Sequence, residues 1–293
     1  MHLQSITSPS LDPGRYTDVA TDFLTHGRWQ APRPSLAHLR ELSEQFGRLP
    51  YENLSKIISL DQHPQAPPPR MPDTVWDGFR RHHLGGTCYA LTFFLTTILQ
   101  FLEYDAQPVT AEMIWGKDVH SAILIHFQGN RYLLDPGYLI HQPLPLSRVQ
   151  SQRLDYPHLS VELRADPEQE TFSVYTWRKG QATWRYRFHP RPLDWESYAQ
   201  RWQRSFTLPS MDGLVLTRVT PSGMVYIHND YLRITEIAGV RKIRNQNSVE
   251  QTIRESFGID LEIVEAARQA LGQNLTRRLI EEKSKTGETD ATR

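Results

Sequence analysis

The sequence has a single cysteine and no excess of charge of either sign. Cys88 is the only cysteine among 293 residues, and Lys plus Arg number 33, as do Asp plus Glu. One thiol excludes a disulfide within the chain and is typical of a reducing compartment. A net charge of zero gives no electrostatic basis for binding nucleic acid or an anionic membrane. We therefore expect neither of these partners.

Long apolar segments are also missing. The longest uncharged apolar run, from Tyr89 to Leu102, is shorter than the roughly 20 residues that a membrane-spanning helix needs. The first 15 residues lack the pattern of a signal peptide. Together these absences predict a cytoplasmic protein.

Phosphate-binding and metal-binding motifs are absent as well. The chain has no Walker loop and no GxGxxG segment after a strand. His82, His83 and Cys88 lie close in sequence, but no second cysteine or HxxxH pattern completes a zinc set. We predict no metal and no permanently bound cofactor.

The elements that are present follow a segregated order. Apolar residues at helical spacing predict helices over 16–25, 35–46 and 74–81. Five prolines between His63 and Pro72 predict an extended loop there. Strands are predicted from about residue 105 onward, with later helices only at 194–205 and 248–257, and the polar segment 283–293 is expected to be disordered. Helices followed by strands favour an α+β fold over a doubly wound one.

The lone cysteine lies at the start of an apolar helix. It belongs to the segment Leu84-Gly85-Gly86-Thr87-Cys88-Tyr89, and apolar positions continue at helical spacing from Leu91 to Leu102. The free amides of a first helical turn and the helix dipole stabilise an anion. This position therefore favours a thiolate at Cys88.

A predicted hairpin tests whether His120 and Asp135 can meet. If Gln128-Gly129 forms the turn, Asp135 lies opposite Ala122, and His120 is its diagonal neighbour on the same sheet face, about 7–8 Å away. If Gly129-Asn130 forms the turn, the separation grows to about 13 Å. Both turns are chemically reasonable, so the contact requires the first register.

Each of these three residues has an ordinary structural explanation. A buried cysteine is often an apolar filler, a histidine on an apolar strand often packs in a core, and Asp-Pro-Gly is a common turn. Taken together, they match the parts of nucleophilic catalysis. Cys88 would be the nucleophile, His120 its base, and Asp135 the group that orients the imidazole.

Several segments in chain order resemble the arylamine N-acetyltransferase family. Pro50-Tyr51-Glu52-Asn53-Leu54 resembles the family's Pro-Phe-Glu-Asn-Leu, and the Cys88 segment resembles its Arg-Gly-Gly-x-Cys-aromatic box. His120 begins a strand like the one that carries the family's histidine. Tyr132 to Tyr138 resembles the family's Tyr-Leu-Val-Asp-x-Gly-Phe.

The resemblance implies a fold and a division into domains. Residues 1–104 would form a helical bundle carrying Cys88, residues 105–205 a β-barrel carrying His120 and Asp135, and residues 206–293 an α/β lid with a disordered tail. The three catalytic groups would then be arranged as in the cysteine proteases.

The resemblance also implies a reaction and its substrates. Acetyl-CoA, or another acyl thioester, would acylate Cys88, and a small-molecule amine would accept the acyl group. Tyr51, Tyr138 and Thr87 would contact substrate, although core packing explains the two tyrosines equally well. Gly86 and Gly137 would lie at the donor site.

The chain departs from the family pattern at several positions. Leu84 replaces the Arg before Gly-Gly, Ala90 replaces a Glu, and Thr92 replaces a frequent Asn. Leu139 replaces the second glycine of the Asp-x-Gly-Phe-Gly loop, which would reshape the acyl entry. Loss of Arg and Glu together is consistent with apolar contact replacing an ion pair.

Three alternatives remain open at the level of sequence. An amide synthase of the same fold would take its acyl group from an acyl carrier protein. A non-catalytic relative would use the fold for binding. A cysteine hydrolase shares the three residue types but does not explain the other matching segments.

Overall fold

The N-terminal part of the protein is helical. The computed structural model describes residues 11–29, 33–138, 140–156, 158–220 and 223–290. Its first elements are a 3₁₀ turn, five helices and one short strand: Pro13–Tyr16, α1 (Thr17–His26), α2 (Leu36–Phe46), β1 (Tyr51–Glu52), α3 (Leu54–Gln62), α4 (Pro72–His82) and α5 (Cys88–Phe101). The proline-rich segment forms no regular structure between α3 and α4, as predicted.

Local chemistry sets the ends of these helices. The Ser35 side chain caps α2 by accepting a hydrogen bond from the His38 amide. Helix α4 ends at His82, one residue after the predicted end, because His83 adopts a left-handed conformation with φ of 55°. Helix α5 begins at Cys88, and all its residues from Cys88 to Leu99 are buried.

A nearly closed sheet of eight strands follows. Its strands, all antiparallel, are β2 (Asp105–Met113), β3 (Gly116–Phe127), β4 (Asn130–Asp135), β5 (Ile140–Pro145), β6 (Gln152–Asp155), β7 (Ser160–Asp166), β8 (Thr171–Arg178) and β9 (Gln181–Phe188). Their order is β5-β4-β3-β2-β9-β8-β7-β6, and the end strands β5 and β6 contact each other. The predicted α+β fold with a central barrel is confirmed. Sequence patterns did not indicate β5 or β6.

The C-terminal part contains a second antiparallel sheet. After α6 (Trp195–Arg204) come two 3₁₀ turns, Ser205–Thr207 and Pro209–Met211, and four strands, β10 (Val215–Thr220), β11 (Gly223–His228), β12 (Tyr231–Glu236) and β13 (Gly239–Arg244). Strand β1 pairs with β10 at the edge of this sheet. The N-terminal segment therefore contributes to the C-terminal sheet. The division into three domains, with boundaries at residues 104 and 205, stays a prediction.

The last helix was not predicted. After α7 (Gln246–Thr252) and a π-helical turn (Ile253–Phe257), α8 runs from Leu261 to Asp290 and packs on α3. The backbone over 283–290 is helical, whereas the sequence pattern predicts disorder there, and residues 291–293 lie outside the described part. No helix in that part is long and apolar enough to span a membrane.

Candidate active site

The loop before Cys88 is held by β1. A Cβ on Gly85 would lie 1.9 Å from the Pro50 carbonyl oxygen, so only glycine allows the two segments to approach this closely. The Glu52 amide donates to the Gly86 carbonyl at 3.1 Å. These backbone contacts fix the position from which α5 begins.

Cys88 occupies the first turn of α5 and is buried. Thr87 precedes it in an extended conformation, and its hydroxyl makes no capping hydrogen bond. Amides at an uncapped helix N-terminus carry partial positive charge, which favours an anion beside them. The location therefore suits a thiolate, as the sequence indicates.

The hairpin adopts the register that allows His120 and Asp135 to meet. Phe127 pairs with Asn130, which makes Gln128-Gly129 the turn. His120 Nε2 lies 2.9 Å from Asp135 Oδ2, and both side chains are buried. The predicted His–Asp contact is confirmed. It leaves Nδ1 as the ring nitrogen available to Cys88.

The surroundings of His120 favour its charged form. Burial lowers the pKa of the imidazole, but the charge and hydrogen bond of Asp135, together with interaction with Cys88, outweigh it and raise the pKa to about 10. Asp135 also accepts a hydrogen bond from the Tyr138 amide through Oδ1 at 2.9 Å. The carboxylate is thus fixed from two sides.

Three tyrosines surround the three groups. The Tyr186 ring lies 4.8 Å from the His120 ring, and the Tyr138 ring lies 6.0 Å from both. Burial raises the pKa of Tyr51, and the nearby Cys88 charge raises it further. Burial raises the pKa of Tyr138 and Tyr186 as well. All three phenols are therefore neutral near neutral pH.

Gly137 contacts the nucleophile directly. A Cβ at this position would lie 2.6 Å from both Cα and Cβ of Cys88. Any larger residue would have to displace the first turn of α5. The Asp-Pro-Gly turn thus places its aspartate against His120 and its glycine against Cys88.

Hydrogen bonds that flank the site join α5 to β3. The Tyr89 hydroxyl donates to the Asp118 carbonyl at 2.7 Å, and the Thr92 hydroxyl donates to the Ser121 carbonyl at 3.2 Å. Tyr198 on α6 donates to the Tyr89 carbonyl at 2.9 Å, and its hydroxyl lies 3.0 Å from Ser121 Oγ. These residues hold the helix of Cys88 against the strand of His120. Sequence reasoning missed the contacts because the partners lie 29 or more positions apart.

Gly86 and Thr87 precede the nucleophile, and their predicted contacts with donor and substrate stay predictions. The Gly86 amide donates a hydrogen bond to the Pro50 carbonyl at 3.4 Å. The Gly86 carbonyl accepts one from the Glu52 amide of β1 at 3.1 Å. Thr87 lines a separate cavity together with Lys56. Leu139 lies outside the described residues.

Two buried titratable residues near the site were not predicted. Burial lowers the pKa of His141 to about 4, although the Asp135 charge opposes this, so its ring is neutral beside the carboxylate. Burial also lowers the pKa of Lys56 to about 8, against an opposing effect of Cys88. A lysine among apolar residues, at the third position after Asn53, is the signal that could have drawn attention to it.

Comparison with solved structures identifies the fold. The arylamine N-acetyltransferase of Mycobacterium tuberculosis matches with a TM-score of 0.71 and 19% identity, over 86% of this chain and 98% of that one. That of Mycobacterium marinum, in complex with CoA, matches with a TM-score of 0.72 and 18% identity, over 87% and 98%. A Bacillus cereus enzyme described as having a unique Cys-His-Glu catalytic triad matches with a TM-score of 0.65 and 16% identity, over 83% and 98%.

Sequence comparison gives the family. No curated protein sequence matches the chain. The sequence model of the N-acetyltransferase family matches residues 35–266, which include Cys88, His120 and Asp135. The match spans well over half of the sequence, and the structural matches agree with the predicted resemblance. The chain therefore belongs to the N-acetyltransferase family and has the fold of the arylamine N-acetyltransferases.

Proposed function

We propose that the protein transfers an acetyl group from acetyl-CoA to the nitrogen of an arylamine through a thioester on Cys88. The observation that carries this proposal is the buried contact between His120 and Asp135, with an imidazole pKa of about 10 beside the only thiol of the chain. An imidazolium next to a thiol supports a thiolate–imidazolium pair. Family membership supports acetyl transfer as the reaction.

In the first half-reaction, Cys88 Sγ attacks the carbonyl carbon of acetyl-CoA. A new C–S bond to the enzyme forms, the C–S bond to CoA breaks, and the leaving thiolate takes the proton from His120. The energy of one thioester passes to another, so the acyl-enzyme remains reactive. Asp135 keeps the imidazole oriented while its charge changes.

In the second half-reaction, the amine nitrogen attacks the acyl-enzyme. His120, now neutral, accepts a proton from the nitrogen as the C–N bond forms and the bond to Cys88 breaks. An arylamine is largely unprotonated at neutral pH, so its lone pair is available without prior deprotonation. The products are the N-acetylated amine and the restored thiolate–imidazolium pair.

The surroundings of the thiol support aromatic acceptors and a CoA donor. The neutral rings of Tyr51 and Tyr138 provide flat apolar surface for an aryl group. Arg185 on β9 and Arg233 on β12 both lie close enough to lower the pKa of Tyr138 by charge. We propose that these two guanidinium groups bind phosphates of CoA, because arginine pairs well with phosphate oxygens.

The amide synthase alternative has less support. One of the matched structures is an arylamine N-acetyltransferase in complex with CoA. The sequence argument for a longer acyl chain depends on Leu139, which is outside the described residues. No observation favours a carrier protein as the donor.

Initial-rate kinetics with acetyl-CoA and an arylamine such as aniline test the proposal. A ping-pong reaction gives parallel lines in double-reciprocal plots. Acetyl-enzyme freed of CoA by gel filtration should then acetylate aniline stoichiometrically. Intersecting lines, together with an isolated enzyme that transfers nothing, would exclude the Cys88 thioester as the intermediate.

A further inference from the structure

A cavity of about 410 Å³ lies beside the start of α5, on the side where Thr87 and Ala90 face α3. Lys56 and Arg70 supply its positive charge, and Phe206 and Leu84 are among its apolar walls. We call this cavity the Lys56 pocket. Cys88 does not line it, although both Thr87 and Ala90 do, one on each side of the nucleophile in sequence.

Lys56 is a buried cation without a carboxylate partner among the described residues. Its ammonium donates to the carbonyl and hydroxyl oxygens of Ser205, at 2.9 and 2.6 Å, and lies 4.6 Å from the centre of the Phe206 ring. An ammonium has three N–H donors. Two donors are therefore used by Ser205, the charge lies over the Phe206 ring, and no carboxylate of the described residues pairs with it.

Arg70 brings a second positive charge to the same cavity. Its Nε donates to the Gly85 carbonyl at 3.0 Å, but its Nη2 is buried and makes no hydrogen bond. Buried guanidinium nitrogens are normally hydrogen-bonded, because an unpaired one costs desolvation energy. Nη2 lies over Gly78 of α4, and the guanidinium adds its positive charge to the wall of the pocket.

The two sequence departures at the Cys88 box leave this space open. Leu84 and Ala90, which stand where the family pattern has Arg and Glu, both line the Lys56 pocket. Neither side chain carries charge, and Ala90 is short. Neither position therefore offers a carboxylate to Lys56 or Arg70; the charges of Cys88, on Lys56, and of Glu52 and Asp77, on Arg70, act from residues that do not line the cavity.

We propose that the Lys56 pocket binds the carboxylate of a small organic anion whose apolar body packs against Phe206 and Leu84. The carboxylate would accept a hydrogen bond from Lys56 Nζ and would be attracted by the charge of Arg70. The volume of about 410 Å³ exceeds that of a benzoate ion, and the apolar walls favour an organic carboxylate over inorganic phosphate.

Binding of benzoate to the resting enzyme tests the pocket directly. Calorimetry should detect benzoate binding to the wild type, with benzamide, its neutral analogue, binding at least about tenfold more weakly. Lys56→Met should lose a similar factor in benzoate affinity. Lys242→Met, which removes an exposed lysine of β13, is the matched control and should bind as the wild type does.

A second variant keeps both cations and fills the space. Ser59 lines the pocket from α3 and is partly exposed, so Ser59→Leu adds hydrocarbon without removing charge. It should abolish benzoate binding while the thermal unfolding midpoint stays close to that of the wild type. Equal affinity for benzoate and benzamide, no binding of either, or unchanged affinity in Lys56→Met would overturn the proposal.

Turnover distinguishes the sources of the carboxylate, and this part rests on the proposed function. If the acceptor carries it, the preference for 4-aminobenzoate over aniline should fall in Lys56→Met. If the donor carries it, the preference for succinyl-CoA over acetyl-CoA should fall instead. Benzoate binding without either change indicates a separate effector. Because benzoate binding needs no acyl donor, its failure is distinguishable from a failure of Cys88 to acetylate.

Discussion

The backbone of Gly137 lies directly against Cys88, with no room for a side chain between them. A Cβ on Gly137 would approach Cα and Cβ of Cys88 to 2.6 Å. The same turn carries Asp135, which bonds His120 at 2.9 Å. The spacing of this turn therefore couples the position of the nucleophile to that of its base.

Replacing Gly137 tests this coupling. Gly137→Ala should reduce the rate of Cys88 acylation by about 10²-fold, because the methyl group displaces the first turn of α5 from His120. Gly272→Ala is the matched control: no atom lies within 4 Å of its Cβ, and alanine favours the helix, so its rate should equal that of the wild type. Stopped-flow acylation with acetyl-CoA measures both. A Gly137→Ala enzyme as fast as the wild type would contradict the proposed coupling.

Removing the charge of Asp135 should weaken the thiolate–imidazolium pair. In Asp135→Asn the side chain keeps its shape, but the pKa of His120 falls because the main stabilising charge is lost. The acylation rate at pH 7 should fall by about 10²- to 10⁴-fold. Alkylation of Cys88 by iodoacetamide from pH 5 to 10 reports the same loss independently of substrate. Asp155→Asn, at an exposed barrel position, should leave both rates unchanged.

The hydrogen bond between Thr92 and Ser121 should contribute to both stability and rate. Thr92→Val keeps the volume but leaves the Ser121 carbonyl without this donor, which should cost about 1–2 kcal/mol of unfolding free energy. Acylation should slow by up to about tenfold, since α5 is held less firmly against β3. Thr97→Val is the control, because Thr97 bonds only to Phe93 within its own helix. Equal acylation rates in the two variants would assign Thr92 a purely structural role.

Much of the site follows from local sequence. The Gln128-Gly129 turn and the alternation of β3 define a register that brings His120 and Asp135 together. The Gly-Gly pair and the apolar run after Cys88 likewise predict a buried helix that begins at the thiol. These features depend on near neighbours in the chain, so their patterns are visible in the sequence.

Other features depend on distant segments and could not be derived in the same way. Arg70 reaches the Gly85 carbonyl from the proline-rich loop, and Lys56 meets Ser205 across 149 positions. No periodic pattern in the sequence indicates these side-chain contacts. Helix α8 is a different case, because its Ala, Leu, Glu and Arg content is typical of a helix and could have predicted it.

Lys56 should make stability depend on pH in a defined direction. Its folded-state pKa is about 8, below its ordinary value of 10.5, so the folded state binds fewer protons between these values and stability rises with pH there. Lys56→Met removes the buried charge and should be more stable than the wild type at pH 7, by at most about 3 kcal/mol. Urea unfolding at pH 7 and pH 10 should show this advantage shrinking. An advantage that is constant or grows with pH would contradict a buried ammonium without a carboxylate partner.

The central claim is that acetyl-CoA acetylates Cys88 and that this step depends on His120. Mass spectrometry of the protein after brief incubation with acetyl-CoA tests it most directly. We expect a mass gain of one acetyl group, located on the peptide containing Cys88 and released by an arylamine. His120→Asn should acquire it at least about 10³-fold more slowly. A wild-type protein that gains no acetyl group, or a His120→Asn variant that gains it equally fast, would contradict the account.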